Sequence, residues 1–433
     1  YPENPEAGID LFLEKLAQET EKNHEDILEQ ADETDAMFGE LYSWYLRNPE
    51  YRSRVQKLVQ SAFAGKPKDI ISQSVAKALY GEVSPYSATR LERFAACAFA
   101  HFLQYGMKLT ERVEYEFKPM DMGNVMHEAL ESFAEEVRKR GMKWTELTEQ
   151  ERNEIADRCL DNIVADYGNT VLKSSARNEY MIERTRRILR RTVWALQKQL
   201  EQGEFQPEGF EVTFGGGRID RVDIMEDQNK VYVKVIDYKT GNTSFDLVYL
   251  YHGLQLQLMI YLDGALRVEQ KKYPDKEIIP AGVFYYNIKD PMIQEKIDAD
   301  VEAVSAGLMK ELKMNGLVQA DPELVYRMDS SLGSIPVAFN KDGSFRKNSS
   351  VADRTQFAVL GRYVRTKIEK IRSSILEGDA EVSPYELGKK NACTYCPYMT
   401  VCGFDRRLSG YEFRRLKNFS DEELWKAFDR EAE

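Results

Sequence analysis

Two aspartates and a lysine in the stretch from Gly215 to Lys239 have the types and spacing of a hydrolytic site. Two apolar, β-branched runs flank the polar residues 226–229, so the pattern predicts a β-hairpin. Reflection through the turn places Asp220 at or next to Asp237 on the other strand. Because side chains alternate faces along a strand, Asp237 and Lys239 share the face that carries Asp220.

This arrangement suits metal-assisted hydrolysis. Two carboxylates about 5 Å apart repel each other unless a cation lies between them, and hard oxygen ligands suit Mg²⁺ or Mn²⁺. A lysine beside that cation can orient an attacking water or help to deprotonate it. The residues therefore predict a site that hydrolyses phosphodiesters. The alternative is an ordinary hairpin whose charged residues face water, with Lys239 simply paired to an aspartate.

The chain has five cysteines among 433 residues, too few for a disulfide framework. Their uneven placement indicates metal or cluster ligation in a reducing compartment. The group near the end of the chain is too tight to be accidental and needs a fourth ligand. It consists of Cys393, Cys396 and Cys402.

Cys97 and Cys159 are the candidates for the fourth thiol. Cys159 lies in a helical pattern between apolar residues, where a core role suffices, whereas ligation by Cys97 would clasp two distant parts of the chain together. Four thiolates suit either Zn²⁺ or an iron–sulfur cluster. His101 lies one turn after Cys97 and is a possible further ligand, so a zinc site stays an alternative.

The elements that position these residues are of the α/β class. The order from the hairpin is strand, strand, a helix with its core at 251–261, and a buried strand at 281–288, with helices before and after to cover the sheet. Gln257 and Tyr261 are four residues apart, so they share one helical face. Both can hydrogen-bond to a phosphate or to the water around a metal.

Two helices before the hairpin carry residues whose role stays open. His127, in a helix that begins near Asp121, is either a structural histidine or a further metal ligand beside the aspartates. A later helix carries an arginine-rich face, which is either balanced by neighbouring acids or follows phosphates. These arginines are Arg184, Arg186, Arg187, Arg190 and Arg191.

The whole chain is long enough for two or three domains, and 42% of its residues are hydrophobic. A net charge of −12 argues against a protein that coats nucleic acid indiscriminately, without excluding a local basic channel. No apolar run has the length of a membrane span and no signal peptide is evident, so a soluble, cytoplasmic protein is expected. A first residue other than methionine suggests a piece of a longer protein.

Four short motifs resemble, in order and spacing, the RecB-type nucleases of the PD-(D/E)XK superfamily. They are residues 121–127, 217–220, 237–239 and 257–261. One cysteine before these motifs and a Cys-x2-Cys-x5-Cys after them are similar to the iron–sulfur nuclease domain of the AddB family of bacterial AddAB helicase–nucleases. The resemblance runs from about Tyr80 to the end of the chain. It departs at Ala98, where the family usually has proline, which bears on a local turn rather than on a ligand.

The resemblance implies a role for each matched residue. The divalent metal is expected to bind His127, Asp220, Asp237 and the backbone carbonyl of Tyr238. Lys239 would position or activate the water, and Gln257 and Tyr261 would contact the DNA strand near the scissile phosphate. A mainly structural [4Fe–4S] cluster would be held by Cys97, Cys393, Cys396 and Cys402.

The resemblance also implies an architecture and a function. The expected fold is a mixed sheet flanked by helices, with residues 1–80 as the end of a helicase-like region, 81–385 as the nuclease, and 386–433 as a cysteine-rich tail that packs back near Cys97. The expected activity is Mg²⁺-dependent exonucleolytic cleavage of single-stranded DNA, on the strand that ends 5′. It would serve double-strand-break processing and homologous recombination beside an AddA-type partner. The alternative is a non-catalytic DNA-binding or scaffold module stabilised by a metal cluster.

Overall fold

The computed structural model describes residues 4–21, 33–62, 70–81, 87–110, 119–166, 176–215, 217–293, 300–408 and 410–432. Within these residues the helices are α1 (Pro5–Glu21), α2 (Glu33–Arg47), α3 (Pro49–Ala62), α4 (Gln73–Tyr80), α5 (Ala88–Ala96), α6 (Ala98–His101), α7 (Pro119–Lys139), α8 (Glu149–Asp166), α9 (Ala176–Glu201), α10 (Leu247–Tyr251), α11 (Gln257–Lys272), α12 (Val301–Glu311), α13 (Pro322–Met328), α14 (Arg354–Glu377), α15 (Met399–Cys402) and α16 (Asp421–Ala432). In the described parts of the chain, no helix is both long and apolar enough to cross a bilayer.

The larger sheet is mixed, as predicted. Its strands follow chain order: β1 (Gln206–Phe214), β2 (Gly217–Asp227), β3 (Lys230–Lys239), β4 (Glu277–Asn287), β5 (Asn315–Gln319) and β6 (Val351–Ala352). β3 pairs with β4 and β5 with β6 in parallel, and the other neighbours are antiparallel. A second, small sheet consists of β7 (Tyr385–Leu387), β8 (Lys390–Asn391) and β9 (Arg414–Arg415), with β7 in the middle.

The chain divides into two compact units, each built from separated segments. The larger unit comprises Val83–Ala95, Thr110–Ser373 and Asn418–Glu433 and contains the six-stranded sheet. The smaller unit comprises Tyr1–Glu82, Ala96–Leu109 and Ser374–Lys417. The domain boundaries expected from the sequence, near residues 80 and 385, stay a prediction.

The hairpin of β2 and β3 forms with a tighter turn than the sequence pattern predicts. The strands pair as far as Asp227 and Lys230, so two residues rather than four make the turn. The polar side chains expected in the loop extend the ladder instead, because cations compensate them. Glu226 lies 2.8 Å from Lys276, and Asp227 lies 2.8 Å from Arg327.

The helix predicted through residues 251–261 is interrupted. Gly253 has φ +78, and a side chain there would be strained and would also meet Ala95 at 3.2 Å. The N–H groups of Gly253 and Leu254 turn back to carbonyls of the preceding helix, which closes α10. α11 then begins afresh at Gln257, so the predicted single helix is wrong while its second half is confirmed.

The arginine-rich face of α9 is compensated by acids. Arg186 lies 2.7 Å from Asp161 and 3.6 Å from Asp157, which also pairs with Arg190. Arg187 and Arg191 reach Asp290, at 2.6 and 3.7 Å. These pairs favour the interpretation of a solvated, charge-balanced face over a surface that follows phosphates.

Candidate active site

Adjacent strands bring Asp220 and Asp237 together. The regular pairing of β2 with β3 ends at Arg221 opposite Ile236, so the next position outward sets Asp220 across from Asp237. At this position a side-chain hydrogen bond replaces the backbone pairing of the strands, because Asp220 Oδ2 accepts a 2.6 Å hydrogen bond from the backbone N–H of Tyr238. Both carboxylates are buried. Burial, followed by the charge of Asp220, raises the pKa of Asp237 to about 7.

Lys239 links this pair of aspartates to α11. Its Nζ lies 2.6 Å from Asp237 Oδ2 and donates a 2.7 Å hydrogen bond to Gln257 Oε1. One turn along the helix, the Gln257 side-chain amide donates to the Tyr261 hydroxyl at 2.9 Å. Burial raises the pKa of Tyr261 to about 12, so the phenol keeps its proton at neutral pH.

His127 on α7 reaches the same place. Its Nδ1 lies 3.4 Å from Asp220 Oδ2 and 3.7 Å from Glu211 Oε1. Burial lowers the pKa of His127, but the two carboxylates outweigh this effect and raise it to about 10. This position supports the interpretation of His127 as a site residue.

Glu211 is a site residue that the sequence pattern did not reveal. β1 pairs with β2 through Phe210 opposite Arg221 and Val212 opposite Ile219, which sets Glu211 across from Asp220. Three neighbouring strands thus carry a row of carboxylates, Glu211, Asp220 and Asp237. The backbone of Glu211 has φ 49, an uncommon conformation for a residue with a side chain. The available signal in the sequence was a glutamate between Phe210 and Val212, shortly before Gly217.

His127, Glu211 and Asp220 fit a divalent cation. One ligand atom from each lies within 4.8 Å of the others, and one imidazole nitrogen with two carboxylate oxygens is a suitable donor set for Mg²⁺ or Mn²⁺. Asp237 falls outside this trio and contacts Lys239 instead. The ligand set implied by the resemblance, including the carbonyl of Tyr238, stays a prediction.

The opposite face of the hairpin carries a separate buried charge network. Arg221 Nε lies 2.5 Å from Asp223 Oδ1, and Lys234 Nζ lies 2.9 Å from Asp223 Oδ2. The guanidinium lies 5.7 Å from the ring centres of both Trp144 and Phe210. Asp223 therefore lies on the face away from Asp220, paired with two buried cations.

Four cysteines line one cavity of the smaller unit. Its sulfur-bearing residues include Cys97, Cys393, Cys396 and Cys402. The remaining wall is largely apolar and includes Phe99 and Tyr398. Burial and the neighbouring thiols raise the pKa of Cys393 to about 12, which a bound cation would reverse. Four thiols around an apolar cavity fit either a cluster or zinc.

The other two candidate ligands lie elsewhere. His101 is fully buried, with its ring 5.2 Å from those of Tyr80 and Tyr105, and it is not among the described residues that line the cysteine cavity. Cys159 is buried in the core of the larger unit, as expected. The histidine that kept a zinc site open therefore contributes nothing to the cavity, and zinc would have to use the four thiols.

Comparison with known families agrees with this geometry. The profile of the PD-(D/E)XK nuclease superfamily matches residues 85–403. The chain belongs to this superfamily. Its mixed sheet flanked by helices is accordingly a PD-(D/E)XK fold, as the resemblance implies. The matched residues include the row of carboxylates, Lys239 and α11.

Similar proteins are named as the B-type component of an ATP-dependent helicase/deoxyribonuclease. The one from Lachnoclostridium phytofermentans is 41% identical over 425 residues, which cover 93% of this chain and 36% of the relative. Those from a Thermoanaerobacter species and from Clostridium novyi are each 34% identical, and cover 93% and 99% of this chain. The chain spans 36–40% of the length of these relatives.

Proposed function

We propose that this chain is a Mg²⁺-dependent exonuclease domain that hydrolyses phosphodiesters of single-stranded DNA, with Mn²⁺ as a substitute. The observation that carries the proposal is that His127 of α7 lies beside Glu211 and Asp220, on the same sheet as the Asp237–Lys239 pair. Membership of a nuclease superfamily supports it. The non-catalytic alternative lacks such support, because the acidic residues and the lysine are all present.

The mechanism follows from the charges of the site. A cation held by the acidic residues and His127 would polarise the phosphate and neutralise the charge that develops on it. Lys239, fixed between Asp237 and Gln257, positions the attacking water and assists its deprotonation. Gln257 and the protonated Tyr261 hold hydrogen-bond donors toward the phosphate of the bound strand.

The relatives' names suggest the setting. We infer that the full-length protein assembles with an AddA-type helicase–nuclease partner in the cytoplasm and processes double-strand breaks for homologous recombination. This chain would cut the strand that ends 5′. Residues 1–80 would be the end of a helicase-like region, 81–385 the nuclease and 386–433 the cysteine-rich tail.

The cysteine cavity is proposed to hold a [4Fe–4S] cluster. Support comes from the four thiols that line it and from its apolar wall. Zn²⁺ is the alternative that the same ligands allow. A cluster gives brown protein with broad absorption near about 400 nm, whereas zinc leaves the protein colourless.

The decisive experiment replaces Asp237 by Asn in the full-length complex, purified without oxygen. Cleavage of duplex DNA whose two strands carry different end labels is measured with Mg²⁺ added or chelated, so that each unwound strand is followed separately. We expect the rate on the 5′-ended strand to fall by at least about a hundredfold, because Lys239 loses its carboxylate partner. The matched control is Asp227→Asn at the other end of the hairpin, which should cut normally. Metal-dependent cutting by Asp237→Asn at the parent rate would reject the assignment.

A further inference from the structure

α11 begins without a cap of its own. The first amides of a helix need an acceptor, and Leu256 at the N-cap position has no polar side chain to provide one. Glu92 on α5 supplies it. Its Oε1 accepts hydrogen bonds from the N–H groups of Leu256 at 2.7 Å and Gln257 at 2.9 Å, across 164 residues of sequence.

These hydrogen bonds hold the residue that contacts Lys239. The backbone N–H of Gln257 donates to Glu92. The side chain of the same residue accepts the hydrogen bond from Lys239 and donates one to Tyr261. The backbone and the side chain of Gln257 are therefore fixed from opposite ends. A shift of the first turn of α11 would move Gln257 Oε1 and remove one of the two contacts that hold the Lys239 ammonium, leaving only Asp237.

The surroundings of Glu92 make this an unusual cap. Burial raises its pKa to about 7, against the two backbone hydrogen bonds and the positive charge of Lys239, which lower it. The carboxyl group of Glu92 is thus buried at a cost in free energy, at the position where it contacts the start of α11. The positive end of the helix compensates part of that cost.

We propose that Glu92 is a positioning residue for Lys239, acting through the first turn of α11. The inference rests on the proposed nuclease function, because Lys239 matters only if it acts on the water. It requires an acceptor oxygen at residue 92 rather than a negative charge. Glu92→Gln, which keeps Oε1, should therefore preserve what Glu92→Ala removes.

The test compares both variants in the full-length complex. Single-turnover cleavage, binding of the DNA strand and amide hydrogen exchange of the peptide 254–262 are measured for each. For Glu92→Ala we expect a rate loss of about a hundredfold, since small misplacements of a catalytic group cost that much. DNA affinity should stay within about twofold while exchange of the peptide accelerates. Glu92→Gln should restore the rate and the protection.

The control is Glu269→Ala, which removes a buried carboxylate from the far half of α11, where it pairs with Lys272 at 2.8 Å. It should lower stability without slowing cleavage. An equal rate loss in both alanine variants at equal stability would overturn the positioning role, as would unchanged exchange in Glu92→Ala. If the parent complex does not cut the 5′-ended strand, the nuclease proposal fails instead, and the exchange comparison still judges the contact.

Discussion

The three carboxylates of the row differ in the cation that each one faces. Glu211 Oε2 lies 2.5 Å from Arg218 Nε, and Asp237 Oδ2 lies 2.6 Å from Lys239 Nζ. Asp220 lies between them, where it contacts His127 and accepts a hydrogen bond from the N–H of Tyr238. The row thus divides into an end suited to a metal, near His127, and an end suited to the attacking water, near Lys239.

This division predicts a metal-specific defect for Glu211→Gln. The substitution keeps the shape of the side chain and removes one negative charge from the trio with His127 and Asp220. We expect the Mg²⁺ concentration for half-maximal cleavage to rise about tenfold, with the rate recovered at high Mg²⁺. Metal titration of single-turnover cleavage measures it.

A neighbouring glutamate provides the comparison. Glu208 lies on the same strand and pairs with Lys272 at 2.7 Å, away from the trio. Glu208→Gln should leave the Mg²⁺ titration unchanged. A Glu211→Gln variant with the parent's titration, or one that no Mg²⁺ concentration rescues, would contradict a role in metal affinity.

The site residues that could be predicted from the sequence are those whose partners lie near them in the chain. Asp220, Asp237 and Lys239 meet through one local hairpin, so period-two alternation suffices to place them. Gln257 and Tyr261 meet through one helical turn. Glu211 was missed because its place depends on how β1 pairs with β2 and on a positive φ. The partners of Glu92 lie 164 residues away, beyond the reach of periodicity.

At the scale of elements, the hairpin of β2 and β3 carries charge on both faces. The side away from the site holds Asp223 between Arg221 and Lys234, all deeply buried. Two cations and one carboxylate without water are stable only while the carboxylate keeps its charge and its hydrogen bonds. This network braces β2 and β3, which carry Asp220 and Asp237 of the carboxylate row.

Asp223→Asn should therefore destabilise the fold. It leaves Arg221 and Lys234 buried without the carboxylate that they share, and we expect a loss of about 3 kcal/mol in the free energy of unfolding. Urea denaturation measures the difference. The control Asp263→Asn weakens a partly exposed pair with Arg365 and should cost at most about 1 kcal/mol. Equal effects of the two changes would contradict the bracing role.

The pH dependence of that difference follows from the pKa of Asp223. Despite burial, its two cationic partners lower the pKa below the ordinary value of 3.8. The stabilisation is thus fully present above about pH 4, where the unfolded aspartate is also ionised, and it is lost as pH falls through the lower folded value. Unfolding of the parent and Asp223→Asn should differ equally at pH 7 and pH 5. A gap that shrinks between these values would contradict this assignment.

The elements themselves were largely predictable. The hairpin, the buried strand β4 and the long helix α14 follow from apolar periodicity. The break before α11 was not predicted, because Gly253 is a single glycine in residues 251–261 and apolar residues continue at helical spacing after it, at positions 254, 258 and 261. Gly253 also lies close to Ala95, which is a tertiary contact that periodicity does not reveal.

At the scale of the whole molecule, the smaller unit depends on segments distant in sequence. Cys97 packs with Tyr398 in one apolar cluster, to which Cys396 also contributes. The Tyr398 hydroxyl donates a 2.9 Å hydrogen bond to the carbonyl of Leu109. Ligands that join these segments would convert binding free energy into folding free energy.

Cys396→Ser is accordingly expected to lose iron and unfold more readily than the parent. Iron content, absorption near about 400 nm and thermal unfolding are the measurements. The control is Cys159→Ser, which changes a buried cysteine in the core of the larger unit. This variant should contain as much iron as the parent. A Cys396→Ser protein with the parent's stability would show that the cavity does not hold the segments together.

The count and spacing of the cysteines limited the fourth thiol to Cys97 or Cys159, and the family resemblance implied Cys97, which lines the same cavity as the C-terminal group. The division into units could not be predicted in this way. α5 and α14 each continue across a boundary between units, at residues 95–96 and 373–374, so no loop or change of composition marks it.

The distance in sequence between the cysteines also sets a delay during synthesis. Cys393 is translated 296 residues after Cys97. At about 5–20 residues per second, Cys97 is added to the chain roughly 15–60 s before its first partner. During that interval the thiol and the aromatic residues around it have no cavity to enter. The proposed cluster could therefore be held by all four thiols only after translation has passed residue 402.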